Sequence, residues 1–224
     1  MAKHQIVSSE AWLASRQQLL EKEKALTHAR EELAAARRAL PWERIEKPYV
    51  FDTTSGPQSL AELFAGRSQL VVYHFMFGPT AEVGCKSCAF WADNFNNAVQ
   101  HLAQRDVTLI AVSRAPQAVL QAFKARLGWT FSWVSSGKND FNFDFNASSR
   151  DETTDTERQH AGVSVFCKDD SGAIFHTYST YSRGLDTLNG TYQFLDLVPK
   201  GRDEAALPYP QSWVRFHDDY PQSA

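Results

Sequence analysis

The chain has 224 residues, is 43% hydrophobic and carries a formal net charge of -3 from 23 basic and 26 acidic residues. That length is enough to bury one sizeable core without a disulfide framework. The charges of both signs are interspersed, which leaves no electrostatic footprint for nucleic acid or for an anionic membrane.

The first residues, Met1-Ala2-Lys3-His4-Gln5-Ile6-Val7-Ser8, lack the apolar centre of a secretory signal, and no window approaches the roughly 18 apolar residues of a membrane span. A cytoplasmic protein with no membrane partner is therefore expected. In that reducing compartment three cysteines are too few for a structural framework, so the close pair Cys85 and Cys88 reads as catalytic or metal-binding.

From Ser9 to Leu40 the chain contains neither Gly nor Pro and is rich in Ala, Glu, Lys, Arg and Leu, which predicts one long helix stopped by Pro41. Ser8 or Ser9 can cap its start, with Glu10 in the first turn. Trp12, Leu19, Leu26, Leu33 and Leu40 recur every seven residues, and Leu13, Leu20, Ala29 and Ala36 widen that line. Such a seam packs on its own chain or pairs with a second copy in a homodimer. The expected organisation is a helix over 1–40, an α/β domain over 41–200 and a C-terminal arm over 201–224.

Past Pro41, residues 44–51 read as a strand with Pro48 on an edge, 52–57 as a turn cluster and 59–64 as a short helix ending near Gly66. The run from Gln69 to Phe77 is apolar and β-branched or aromatic except for His74, which predicts a central strand buried on both faces. Cys88, Trp91 or Ala92, Phe95, Val99 and Leu102 recur at helical spacing, so one helix is expected from the cysteines to about Arg105. A strand over 107–112 and a helix from Pro116 to Leu127 follow, and this alternation predicts parallel pairing. Residues 129–134 alternate as a strand.

Residues 135–160 read as a long polar loop with some helix, carrying Phe141, Phe143 and Phe145. Residues 163–168 and 173–178 read as a hairpin turned at Asp169-Asp170-Ser171-Gly172, and 185–197 as a helix. The four-proline tail after Val198 reads as an arm anchored by Trp213 and Phe216.

The chemistry centres on Cys85-Lys86-Ser87-Cys88, between the apolar strand and a helix start. Cysteines three apart on a first turn bring their sulfurs to bonding reach without distorting the backbone. Free N–H groups and the positive dipole end there favour a thiolate, so Cys85 is expected to titrate below the usual value of about 8.5, with Lys86 adding charge. Cys85 would attack a disulfide and Cys88 would resolve the mixed disulfide, with no bound cofactor. The expected partner is a disulfide-containing protein or a small-molecule thiol.

Three alternatives stand beside this one. A zinc or copper site would use the same pair, but no second Cys-x-x-Cys or His-x-x-x-His completes it. A thiol peroxidase shares the strand, loop, cysteine and helix order, yet Gly78 and Glu82 stand where its proline and hydroxyl belong. A non-enzymatic scaffold would keep the cysteines as a passive redox or metal sensor. His74 reads as a core histidine and Cys167 as a core thiol. Glu82 and Asp93 are candidates for an acid that moves a proton beside the thiols, and His176, Tyr178 and Arg183 form a dense polar group after a strand.

The segments Trp12-Leu13-Ala14-Ser15-Arg16, Tyr73-His74-Phe75-Met76-Phe77-Gly78-Pro79, Phe90-Trp91-Ala92-Asp93, Val112-Ser113-Arg114-Ala115-Pro116 and Phe175-His176-Thr177-Tyr178-Ser179, with Asp196-Leu197, occur in one order along nearly the whole chain. In this the chain resembles the bacterial domain-of-unknown-function 899 family of thioredoxin-like proteins. The resemblance implies a thioredoxin-like α/β fold, a central mixed sheet flanked by helices, and a dithiol-disulfide oxidoreductase centred on Cys85 and Cys88. It supplies no substrate. Two features depart from thioredoxin itself: Lys86-Ser87 replaces Gly-Pro between the cysteines, and His160-Ala161-Gly162-Val163 has no proline before the strand that faces them.

Overall fold

The computed structural model describes residues 4–151 and 153–221. The chain divides into two compact units, one ending at Pro41 and the other starting at Trp42. The first is helix α1 (Ser9–Arg38). Ser8 caps it, its side chain accepting from Ala11 N–H at 3.3 Å, and Glu10 and Arg37 with Arg38 complement the dipole at its two ends. No helix among the described residues is long and apolar enough to cross a membrane.

The second unit is built on one sheet. In chain order its strands are β1 (Glu43–Arg44), β2 (Val50–Thr53), β3 (Gly56–Ser59), β4 (Gln69–His74), β5 (Val107–Ser113), β6 (Ser132–Ser135), β9 (Gly162–Lys168) and β10 (Ile174–Tyr181), with β7 (Ser148–Arg150) and β8 (Glu157–Gln159) forming a separate two-stranded ribbon. The order across the sheet is β1-β10-β9-β4-β5-β6-β2-β3. Strands β4, β5 and β6 run parallel, and β9 lies antiparallel to β4. Helices α2 (Lys86–Ala92), α3 (Phe95–Ala103), α4 (Gln117–Arg126), α5 (Phe141–Asp144) and α6 (Gly190–Leu195) complete it. This mixed sheet with a βαβ crossover leading from the cysteine helix is a thioredoxin-like α/β fold.

The sheet separates two apolar layers. One joins Tyr73, Phe75, Phe77 and the buried face of α2 to Phe123, Trp129 and Trp133, and the other joins Leu70, Val72, Ile110 and Val112 to Phe51, Phe141, Phe145 and Phe166. Alternation along β4 decides which residue serves which layer, so neighbours Tyr73 and His74 point to opposite faces. The three Phe residues of the segment expected to be a loop are explained here. Phe141 and Phe145 are core residues delivered by the single turn of α5, and Phe143 lies beneath the Arg114 guanidinium at 4.6 Å.

Several boundaries differ from the sequence reading for local reasons. The expected strand over 44–51 breaks around Pro48 into β1 and β2, and the turn cluster makes a tight hairpin in which Gly56 has φ of 99° and Pro57 lies in the edge strand β3. The helix expected to run to Arg105 stops at Ala92 and restarts at Phe95. Asn94 causes the break: its side-chain amide donates to the carbonyls of Phe90 and Trp91 at 3.0 and 3.1 Å while its oxygen accepts from Gly190 N–H. The helix expected over 185–197 is a 3-10 segment (Ser182–Leu188) followed by α6, which Asn189 caps by accepting from Tyr192 N–H. In the tail Val214 is fully buried, Phe216 nearly so, and Trp213 donates to Glu204 at 2.6 Å.

Candidate active site

Beyond β4 the chain stays extended, Phe75 N–H donating to Val112 O at 3.0 Å, and then loops out through Gly78 to Gly84. Met76 fastens both ends of this loop to the cysteines. Its carbonyl accepts from Cys85 N–H at 3.1 Å, and its N–H donates to Cys88 Sγ at 3.4 Å. Gly84 is required by contact rather than by backbone conformation, because a Cβ there would lie 2.8 Å from Phe75 Cε1 and 3.1 Å from Phe77 Cδ1.

Cys85 is the N-cap of α2 and is half-buried; Cys88 lies one turn in and is 1% exposed. The two thiols are held in opposite states. Cys85 is lowered to about 6, first by the hydrogen bond that the Cys88 thiol gives it and then by the nearby backbone N–H groups of Cys88 and Ser87 and the Ser87 hydroxyl, against the opposing effect of burial. Cys88 is pushed well up by burial and by its neighbour, with the Met76 N–H and the Tyr73 hydroxyl working the other way. Tyr73 is itself buried, and its hydroxyl also donates to Cys88 O at 3.3 Å.

The pair opens into a cavity of about 430 Å3. Its apolar side is Tyr73, Met76, Trp91, Ala161 and Leu185, and its polar side includes Gln159, Arg183, Asp186 and Gln211. Trp91 is locked by donating from Nε1 to Leu185 O at 2.8 Å, which ties the cysteine helix to the segment that roofs the cavity. No group of three or more His, Cys, Asp or Glu side chains among the described residues is placed to hold a metal ion.

The profile of a family described as a bacterial protein of unknown function, DUF899, matches residues 1–220. The chain belongs to this DUF899 family. No curated protein matches it. Among solved structures, the DUF899 chain is similar to Xanthomonas campestris peroxiredoxin Q at 14% identity and a TM-score of 0.49, covering 69% of this chain and 94% of that one. It is also similar to Mycobacterium tuberculosis peroxidoxin BcpB at 13% identity and a TM-score of 0.49, covering 68% and 95% of the two chains. Reduced Prx3 from Vibrio vulnificus aligns at 16% identity with a TM-score of 0.45, over 63% and 85%.

The remaining residues singled out from the sequence separate clearly in this DUF899 protein. Arg183 reaches the cavity rim. The Lys86 ammonium donates to Ser212 O at 3.4 Å, and the largest influences holding Cys85 low are hydrogen bonds from Cys88 and Ser87. Asp93 accepts from Trp129 Nε1 at 2.8 Å and lies 2.7 Å from His217 Nδ1, so it ties the end of α2 to the segment after α4 and to the tail. Glu82 is exposed and faces a groove along α4 with Val119 and Arg126. His176 lies in the other layer against Phe145 and Phe166, and Tyr178 is half-buried on β10. Cys167 is half-buried at the far end of β4, opposite Gln69.

Sequence reasoning overlooked Tyr73 and Gln159, whereas it had Ser87 as part of the dipeptide between the cysteines and His160-Ala161 as the approach to the strand facing them. The one signal that could have found Tyr73 is a polar tip next to the end of a largely apolar strand, on the face that α2 covers.

Proposed function

We propose that this chain carries out two-thiol redox chemistry at Cys85 and Cys88. The carrying observation is the opposition between the two sulfurs: a half-buried thiol lowered to about 6, facing a cavity, and a buried thiol held protonated beside it. Near neutral pH Cys85 is largely thiolate and can attack a disulfide sulfur, forming a mixed disulfide and releasing the other half as a thiolate. Cys88 then attacks Cys85 Sγ, the Cys85–Cys88 disulfide forms, and the Cys88 proton leaves with the second thiol.

For that second step Cys88 must develop negative charge in a buried place. The Met76 N–H donates to its sulfur, and the Tyr73 O–H, which donates to the Cys88 carbonyl, also favours its charged form, so Tyr73 takes a positioning role there. A second reading, peroxide reduction, uses the same two thiols with an O–O bond in place of the S–S bond, and the cavity in front of Cys85 has room for a small peroxide.

The test is turnover. Catalytic amounts of the reduced protein, supplied with dithiothreitol, should consume disulfide or hydroperoxide at rates lost in Cys85→Ser, with a Cys85–Cys88 disulfide seen by mass spectrometry. A stoichiometric oxidation with no turnover would support the passive sensor instead.

A further inference from the structure

The wall facing the cysteines is the segment Gln159-His160-Ala161, just before β9. Both of its backbone edges are occupied by the chain itself. On one side His160 N–H donates to Ala147 O at 2.9 Å, continuing the ladder in which Gln159 pairs with Ser148. On the other side Ser182 N–H donates to Ala161 O at 3.4 Å, continuing the pairing of Gly162 with Tyr181. Gly162 closes the second side tightly, since a Cβ there would lie 2.4 Å from Tyr181 Cδ1. One way an extended polypeptide docks is by adding a strand to a free edge, and here each edge is already engaged by the chain's own strands.

What remains open is the cavity of about 430 Å3, which matches the size of small-molecule sites rather than of a polypeptide groove. Its apolar side, from Met76 to Leu185, lies against the thiols, and Arg183 and Asp186 lie on the polar side.

We infer that the oxidant met by Cys85 is a small organic molecule with an S–S or O–O bond, entering the cavity whole, and not an extended polypeptide. This rests on the two-thiol reading above. Written for R–X–X–R′, with X sulfur or oxygen, Cys85 thiolate attacks one X, the X–X bond breaks, and R′X⁻ leaves and takes a proton from water. Cys88 attacks Cys85 Sγ, the S–X bond breaks, and RXH departs with the Cys88 proton. The X–X bond gains two electrons and the dithiol loses two; an external thiol returns the disulfide to the dithiol.

Single-turnover oxidation of the wild-type dithiol tests this, with cumene hydroperoxide, 2-hydroxyethyl disulfide and insulin compared at equal concentration. At least one small molecule should form the Cys85–Cys88 disulfide about 100-fold faster than insulin, and the faster of the two identifies O–O or S–S as the bond. Insulin reacting as fast as both would overturn the inference and leave the redox reading standing. If none of the three oxidised the pair while iodoacetamide still labelled Cys85, the redox reading would fall and the inference with it. Ala161→Leu narrows the cavity and should slow the faster small molecule by roughly tenfold relative to wild type. An unchanged rate would overturn entry through this cavity.

Discussion

Tyr73 and His74 are adjacent on one strand, equally buried, and each bears a polar tip inside an aromatic layer, yet the two faces they serve differ in kind. On the Tyr73 face the hydroxyl donates to the Cys88 carbonyl, beside two thiols that border a cavity. On the His74 face Nε2 lies 2.8 Å from Ser164 Oγ, which lies 2.8 Å from Ser179 Oγ, which lies 2.7 Å from His176 Nε2. That chain is closed in by Phe141, Phe145 and Phe166. Burial has lowered His74 to about 3 and keeps it neutral. A shifted titration is thus common to both faces. What sets the first apart is that its shifted group is the charged, nucleophilic form and has a space in front of it.

The comparison breaks first at the sulfur. Cys85→Ser should abolish oxidation by every small oxidant, whereas Cys88→Ser should keep the first attack and accumulate the Cys85 adduct, visible as added mass. Next comes the origin of the low titration. Alkylation of wild-type Cys85 should rise with pH through a midpoint near 6, and Cys88→Ala, which removes the first cause, should move that midpoint upward by at least about one unit. An unmoved midpoint would assign the thiolate to the helix start alone. Tyr73→Phe keeps the ring against Phe75 and Phe95 and removes one donor. It should slow the second, resolving step by about tenfold while leaving the alkylation midpoint of Cys85 in place.

The smallest expected effect is on the other face. His74 binds a proton in the unfolded chain below about pH 6.5 but resists it in the folded one down to about 3. The unfolded state therefore holds more protons in that window, and stability falls as pH falls, by about 2 kcal/mol between pH 6.5 and 5. His74→Leu should flatten that slope in chemical denaturation and leave thiol oxidation unchanged. A change in oxidation rate would join the two faces into one site.

Much of this was legible in the sequence where one physical cause dominates. The run from Gln69 to His74 is a central strand because nearly every position is apolar, and the cysteines fall at a helix start because the helical spacing begins there. The misreadings occur where a side chain distant in sequence intervenes. Asn94 breaks a helix whose apolar spacing continues across it, by capping carbonyls and holding Gly190. The acceptor of the Lys86 ammonium, Ser212 O, comes from the tail and had no local signal. Gly56 and Pro57 read as part of a turn, but Thr54 and Ser55 make it, and Gly56 and Pro57 begin β3, a strand that needs β2 beside it to exist. The cavity was the least legible feature, since its walls come from β4, α2, the residues before β9 and the segment after β10.

That last fact bears on how the chain is made. Strand β4 pairs with β9, and the cysteines face Gln159 to Ala161 and Leu185, all of which leave the ribosome long after Cys88 does. Such long-range pairing forms late. Through much of synthesis the two thiols are therefore uncovered, at the stage when a protein is most open to wrong disulfides. Their spacing limits the harm: each has the other as its nearest cysteine along the chain, and Cys167 emerges much later.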